Sequence, residues 1–242
     1  MTEVDGAHPK SPAVARSVDD VLHIALTCGD TNNTLGPVLV RALREALRSA
    51  DRHNAVLLTA EGRNFCAGGD HDELGALGRD EFRRYLADLA GLFADLANSP
   101  VPQVVAVHRA VVGGGLELCL LADFVVASDD AWFRLPQVAL GGRIGKYSYS
   151  SLVGRCGLAG ARRLVMLGER IEATDALELG LIDDVVTRAE LDGAALRLAQ
   201  ILAARPSRAM RAARAELANA YGVAQESRLE ATRRTEAIPS TE

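Results

Sequence analysis

Val112-Gly113-Gly114-Gly115-Leu116-Glu117-Leu118-Cys119-Leu120-Leu121 runs from a β-type segment through three glycines into a short apolar helix with one carboxylate inside it. Glycines at such a junction expose backbone N–H groups at a helix N-terminus, where the helix dipole adds partial positive charge. Glu117 lies in a segment whose composition demands burial. A buried, unpartnered carboxylate costs several kcal/mol unless its pKa rises, and a raised pKa is what an acid or base working near neutrality needs. Three residues beyond Gly114, the Glu117 carboxyl falls on the same side of the helix as the Gly114 N–H. A second glycine turn, Phe65-Cys66-Ala67-Gly68-Gly69-Asp70, also follows a β run. Neither is a nucleotide loop: the first lacks the third glycine of a dinucleotide fingerprint, and no Lys-Ser or Lys-Thr follows either. Two such turns can point two N–H groups at one oxygen, forming an oxyanion hole. The plainer alternatives are glycines that only permit close packing and a Glu117 paired with one of the chain's many arginines.

Outward from these turns, Val21 to Thr27 and Ala55 to Thr59 read as strands, with a helix over Leu35 to Ala50 between them. A helix from Asp80 to Asn98 presents Phe82, Leu86, Leu89, Phe93 and Leu96 on one face and stops before Pro100 and Pro102. Gln103 to Val107, Phe124 to Ala127 and Trp132 to Arg134 are further strands. The remainder reads as mostly helical, with helices over Ala189 to Ala204 and after Pro206. The first sixteen residues have no period and read as a flexible arm, residues 1–16. One α/β domain follows, its core over 17–190 and a helical region over 191–242.

Composition narrows the partners. The 242 residues are 48% apolar, enough for a sizeable core, and carry a net charge of −5, which gives no overall attraction to nucleic acid or anionic membranes. The longest apolar stretch, Ala110 to Ala127, is broken by three glycines, Glu117 and Asp123, so no segment spans a bilayer, and the polar N-terminus has no signal-peptide core. A cytoplasmic location is the expectation. Cys28, Cys66, Cys119 and Cys156 stand singly, which fits buried thiols rather than disulfides or a thiolate metal site, and no metal is expected.

These motifs resemble the enoyl-CoA hydratase/isomerase, or crotonase, superfamily. Phe65 to Asp70 looks like its first oxyanion turn, Gly113 to Leu118 with Ala122-Asp123 its second, and Ala176-Leu177-Glu178-Leu179-Gly180-Leu181-Ile182-Asp183-Asp184-Val185-Val186 its later signature. The resemblance runs from about residue 20 to 220. It implies a crotonase-like spiral of ββα units with a helical C-terminal region that serves oligomerisation, as a homotrimer or hexamer. It also implies an acyl thioester substrate, with coenzyme A as part of that substrate and no separate cofactor. Gly69 and Gly114 would donate to the thioester oxygen, and Glu117 matches the first of two hydratase glutamates. Ala67, Asp70, Gly145, Lys146 and Tyr147 would line the substrate site.

Departures from the family are equally informative. The second glutamate of the Phe-x-x-Pro-Glu pattern is Gln137 in Phe133-Arg134-Leu135-Pro136-Gln137, and an amide exchanges no proton. Gln137 is therefore expected to position substrate or water. The family's Arg-Pro-x-x-x-Asn stretch is Cys28 to Asn33 here, and a lysine that meets coenzyme A is Asp72, so phosphate recognition is expected to be weak. The sequence ends soon after Arg233-Arg234, before the family's usual basic tail. The reaction expected is proton transfer, hydration, dehydration or isomerisation through an enolate. The alternatives are a specialised biosynthetic decarboxylase, hydrolase or cyclase, with its substrate on coenzyme A or on an acyl carrier protein, and a non-catalytic acyl-CoA binder. Cys66 with His71 as base, and Arg143 as a substrate anchor, rank lower; Asp123, Trp132 and His108 read as structural.

Overall fold

Residues 11–220 are described by a computed structural model. Six strands form the main sheet in the order β1 (Ala13–Val18), β2 (Val21–Leu26), β3 (Ala55–Ala60), β4 (Gln103–Val107), β6 (Phe124–Ser128) and β9 (Asp184–Val186). β1 and β2 pair antiparallel and every other neighbouring pair is parallel. A smaller sheet joins β5 (Ala110–Val112), β7 (Trp132–Arg134) and β8 (Ile171–Glu172).

Parallel strands covered on both faces need apolar residues at every position, and β3 and β4 are buried throughout. Alternate residues serve two layers. Val21, Ala55, Leu57, Val104, Ala106 and Val126 face α7 (Leu191–Ala203), whose Leu191, Ala195, Ala199 and Ala203 repeat every four residues and let the helix lie close to the sheet. Ile24, Val56, Leu58, Val105 and Val125 face the main core, which takes in residues of α1 (Pro37–Leu47) and α3 (Arg79–Ala97). α4 (Gly114–Leu121) is sunk in that core, buried from Gly115 to Leu121, as its all-round apolar composition requires. α2 (His71–Gly75) follows the first glycine turn. α5 (Lys146–Arg162) bends at Gly157, and α6 (Ala173–Glu178) leads toward β9. α8 (Ser207–Ala220) is fastened by the buried Arg214, which bonds Asp123 at 2.8 Å and the carbonyls of Ser99 and Leu96.

Three expectations need correction. Ala13–Val18 is a strand, although it falls largely within the segment read as a flexible arm. It is an edge strand that buries only Ala13 and leaves Val14 to Ser17 exposed, so it carries no apolar alternation. Its signal was the two-residue turn Asp19-Asp20, both at positive φ, which closes a hairpin onto β2. Residues 1–10 lie outside the described residues. The first helix begins at Pro37 rather than Leu35, since Pro fits the first helical position, and it ends at Leu47, before a separate 3-10 turn over Ala50–Arg52. The stretch after Arg134 is less uniformly helical than expected, since it contains β8 and β9. The C-terminal region 191–242 is helical as far as Ala220, and its remainder lies outside the described residues.

Candidate active site

The two glycine turns lie side by side. Cys66 bridges to Val111 like a further parallel strand: its N–H donates to the Ala110 carbonyl at 3.1 Å, and its carbonyl accepts from Val112 N–H at 3.0 Å. Gly68 and Gly113 take positive φ of 85° and 55°, which side chains rarely adopt. They also touch each other, since a Cβ on Gly113 would stand 3.8 Å from the Gly68 Cα. The next residue of each turn is the expected oxyanion donor. Gly114 is the first residue of α4, so its N–H has no acceptor within the helix, and the Gly69 N–H donates to no backbone carbonyl among the described residues. Leu35 and Phe93 pack over Gly114, and Leu74 over Gly69.

Glu117 is 4% exposed, and no arginine or lysine among the described residues forms an ion pair with it. Three neutral donors surround it instead. Gln137 donates Nε2 to Oε1 at 3.0 Å, while Oε2 accepts from the Gly145 N–H at 2.6 Å and the Ser148 hydroxyl at 2.8 Å. Burial pushes the carboxyl up to about 7, against the opposing pull of these three hydrogen bonds. The group is thus divided between acid and base near neutrality. The alternative of an arginine-paired structural glutamate is not what the fold builds.

Of the other expected residues, Gln137 and Gly145 meet at the Glu117 carboxylate, and Gly114 lies one helical turn before it in α4. A Cβ on Gly113 would lie 3.7 Å from Gln137 Nε2, which places the amide beside the second turn. Gly145 must be small: a Cβ there would stand 2.7 Å from Glu117 Oε2. Ala67 donates its N–H to Asn32 and is half-buried. Asp70 is a helix cap, its carboxylate accepting from the N–H groups of Asp72 and Glu73 at the start of α2. Lys146 and Tyr147 open α5, the lysine partly exposed and Tyr147 buried. Cys66 is wholly buried, and burial raises its thiol to about 12, which makes it a poor nucleophile; His71 and Arg143 are exposed. Asp123 anchors Arg214 and the Gln103 N–H, Trp132 lies under the Arg170 guanidinium at 4.4 Å, and His108 bonds the Gly62 carbonyl.

Ser148 is the residue that sequence reading missed. It is fully buried and sits on the inward stripe Ser148, Leu152 and Cys156 of α5. That spacing is the only local sign that its hydroxyl turns inward rather than to water. Tyr85 of α3 also borders the site: its hydroxyl donates to the Leu35 carbonyl at 2.8 Å, and burial raises its phenol to about 12. A groove of about 600 Å³ between α1 and α3 includes none of these residues, and its Arg44 is already paired with Asp88 and Asp95. Among the described residues no cluster of His, Cys, Asp and Glu could hold a metal ion, and no helix is long and apolar enough to cross a membrane.

This combination of layered sheets, paired glycine turns and a buried acid is that of the crotonase fold. The crystal structure of an enoyl-CoA hydratase/isomerase from Xanthobacter autotrophicus Py2 superposes with a TM-score of 0.81 at 26% identity, covering 90% of this chain and 84% of that one. The chain belongs to the enoyl-CoA hydratase/isomerase family, whose family model matches residues 17–239. It is 35% identical over 174 residues to a protein of Rhizobium meliloti (strain 1021) named "Probable enoyl-CoA hydratase", covering 71% of this chain and 67% of that protein. It is 33% identical over 202 residues to the human "Enoyl-CoA hydratase domain-containing protein 2, mitochondrial", covering 82% of this chain and 69% of that one.

Proposed function

We propose that this protein moves a proton at the α-carbon of an acyl thioester, with Glu117 as its one acid–base group and the Gly69 and Gly114 N–H groups holding the enolate oxygen. Allylic isomerisation is the reaction this arrangement suits best. With a 3-enoyl thioester, the Glu117 carboxylate removes a C2 proton, and the electron pair delocalises onto the thioester oxygen and C4. The protonated carboxyl then gives a proton to C4, leaving a C2–C3 double bond. One carboxyl suffices because it serves first as base and then as acid, and while protonated it exchanges with solvent, so reversal at C2 carries a solvent proton back.

The observation that carries this reading is the contact between Gln137 and Glu117. Hydration asks one group to take a proton from water and another to deliver one to the α-carbon. Gln137 can do neither, and an acid–base group is worth roughly 10²–10⁴-fold in rate. Asp72 and Glu73, exposed on α2, support a weak grip on coenzyme A phosphates. The acyl carrier is then either coenzyme A, held mainly by its pantetheine arm, or a carrier protein. Exposed Leu158, Met166 and Leu167 support self-association, in keeping with a trimer or hexamer.

The enoyl-thioester absorbance band provides the test. With 3-hexenoyl-CoA the band should grow, and with crotonyl-CoA at equal enzyme it should fall far more slowly. Faster loss of crotonyl-CoA would replace isomerisation with hydration.

A further inference from the structure

The two oxygens of Glu117 are held differently. Each carboxylate oxygen offers about two lone-pair positions. Oε2 accepts two hydrogen bonds, from Gly145 N–H at 2.6 Å and from Ser148 Oγ at 2.8 Å, so both positions are filled. Oε1 accepts one, from Gln137 Nε2 at 3.0 Å, and keeps a lone pair in reserve. Both donors on Oε2 come from the start of one helix: Gly145 caps α5, Ser148 is its third residue, and the Ser148 N–H bonds back to the Gly145 carbonyl at 3.0 Å. The carboxylate therefore caps α5 from outside, at the positive end of that helix's dipole.

We propose that Ser148 is a positioning residue which, with the Gly145 N–H, pins Oε2 and leaves Oε1 as the oxygen that exchanges the substrate proton. The inference rests on the reading of Glu117 as the acid–base group. A carboxyl free to rotate would present either oxygen and lose the geometry that proton transfer demands. Pinning one oxygen selects the other. The Ser148 O–H also favours the ionised form, offsetting part of the cost of burying that charge. Few other charges intervene. Tyr85 of α3 acts on Glu117 electrostatically with its phenol held protonated, burial pushes the Cys66 and Cys119 thiols up, and no cation is paired with the carboxylate among the described residues.

Ser148→Ala removes the hydroxyl and leaves a small, helix-favouring residue, so the fold should survive; circular dichroism checks this. With 3-hexenoyl-CoA, kcat should fall about tenfold with KM little changed. The midpoint of the rising limb of kcat/KM against pH should move upward by about half a unit or more, because the carboxylate has lost a donor. Glu117→Gln and the double variant run in parallel. If Ser148 acts through Glu117, adding Ser148→Ala to Glu117→Gln should cost nothing further. A Ser148→Ala profile with an unmoved midpoint, or a full additional loss in the double variant, overturns the role of Ser148. Undiminished activity of Glu117→Gln alone overturns the underlying reading of Glu117, so the two failures are distinct.

Discussion

Gln137 donates its side-chain amide to Glu117 at 3.0 Å, so the position where a second carboxyl would stand is occupied by a group that holds the first one still. The opposite end of that amide, Oε1, is buried without a donor. Leaving an acceptor unmet costs about 1–3 kcal/mol, which the remaining contacts of the site must offset. The amide is thus oriented by Glu117, and any exchange of its ends requires Glu117 to become a donor.

Glu117→Gln should lower kcat by at least about 10²-fold while keeping the fold, because volume is retained and only the exchangeable proton is lost. The new amide can place its oxygen toward Gly145 and Ser148 and its nitrogen toward a Gln137 turned end for end. Stability should also change in a pH-dependent way. The Glu117 carboxyl rises from 4.5 to about 7 on folding, so its favourable share is complete below about 4.5 and is lost as pH climbs through 7. At about 1.4 kcal/mol per pKa unit, wild type should lose up to about 3 kcal/mol over that range, and the glutamine variant should not. Denaturant melts at pH 5 and pH 8 measure the difference; equal pH trends in the two proteins would refute the shift.

How much of this site was legible in sequence depends on range. Glu117 announced itself because a carboxylate in Leu116-Glu117-Leu118-Cys119-Leu120-Leu121 conflicts with its neighbours locally, and the glycine turns because Gly113 and Gly68 sit at strand ends. Gln137 was legible as a departure from a pattern, but its contact with Glu117, twenty residues away, was not. Ser148 reaches across thirty-one residues, and nothing in Lys146-Tyr147-Ser148-Tyr149 marks one hydroxyl as the inward one. β1 was hidden for a different reason: an edge strand with one buried residue leaves no periodicity to read.

Gln137→Glu should raise hydration of crotonyl-CoA by at least about tenfold, by restoring a second proton-exchanging group beside the first. The new carboxyl would face Glu117 across the space of the present 3.0 Å contact. Two carboxyls that close share one proton, so one apparent pKa should climb and the activity optimum should move to higher pH. Absorbance kinetics across pH in both proteins decide it. Hydration by wild type as fast as by the variant would mean that Glu117 and water suffice.

Gly114→Pro should abolish turnover in a folded protein. Proline is well tolerated at the first position of a helix, which Gly114 occupies in α4, but it has no N–H to give the enolate oxygen. Losing one such donor costs about 10²–10³-fold. Gly114→Ala is the control: it keeps the N–H and asks only that the Leu35 side-chain tip, 2.7 Å from the new Cβ, move aside. The expected order of kcat is wild type, then alanine within a few-fold, then proline far below. Comparable losses in both variants would point to packing instead of an oxyanion donor.

Isotope exchange tests whether Glu117 takes a proton from the α-carbon of a thioester, without regard to the final product. Wild type and Glu117→Gln are incubated with 3-hexenoyl-CoA in D₂O, and deuterium at C2 is followed by NMR and mass spectrometry. Wild type should incorporate C2 deuterium at least about a hundredfold faster than the variant. No incorporation by wild type, or equal rates in the two proteins, would rule out Glu117 as the base at the α-carbon.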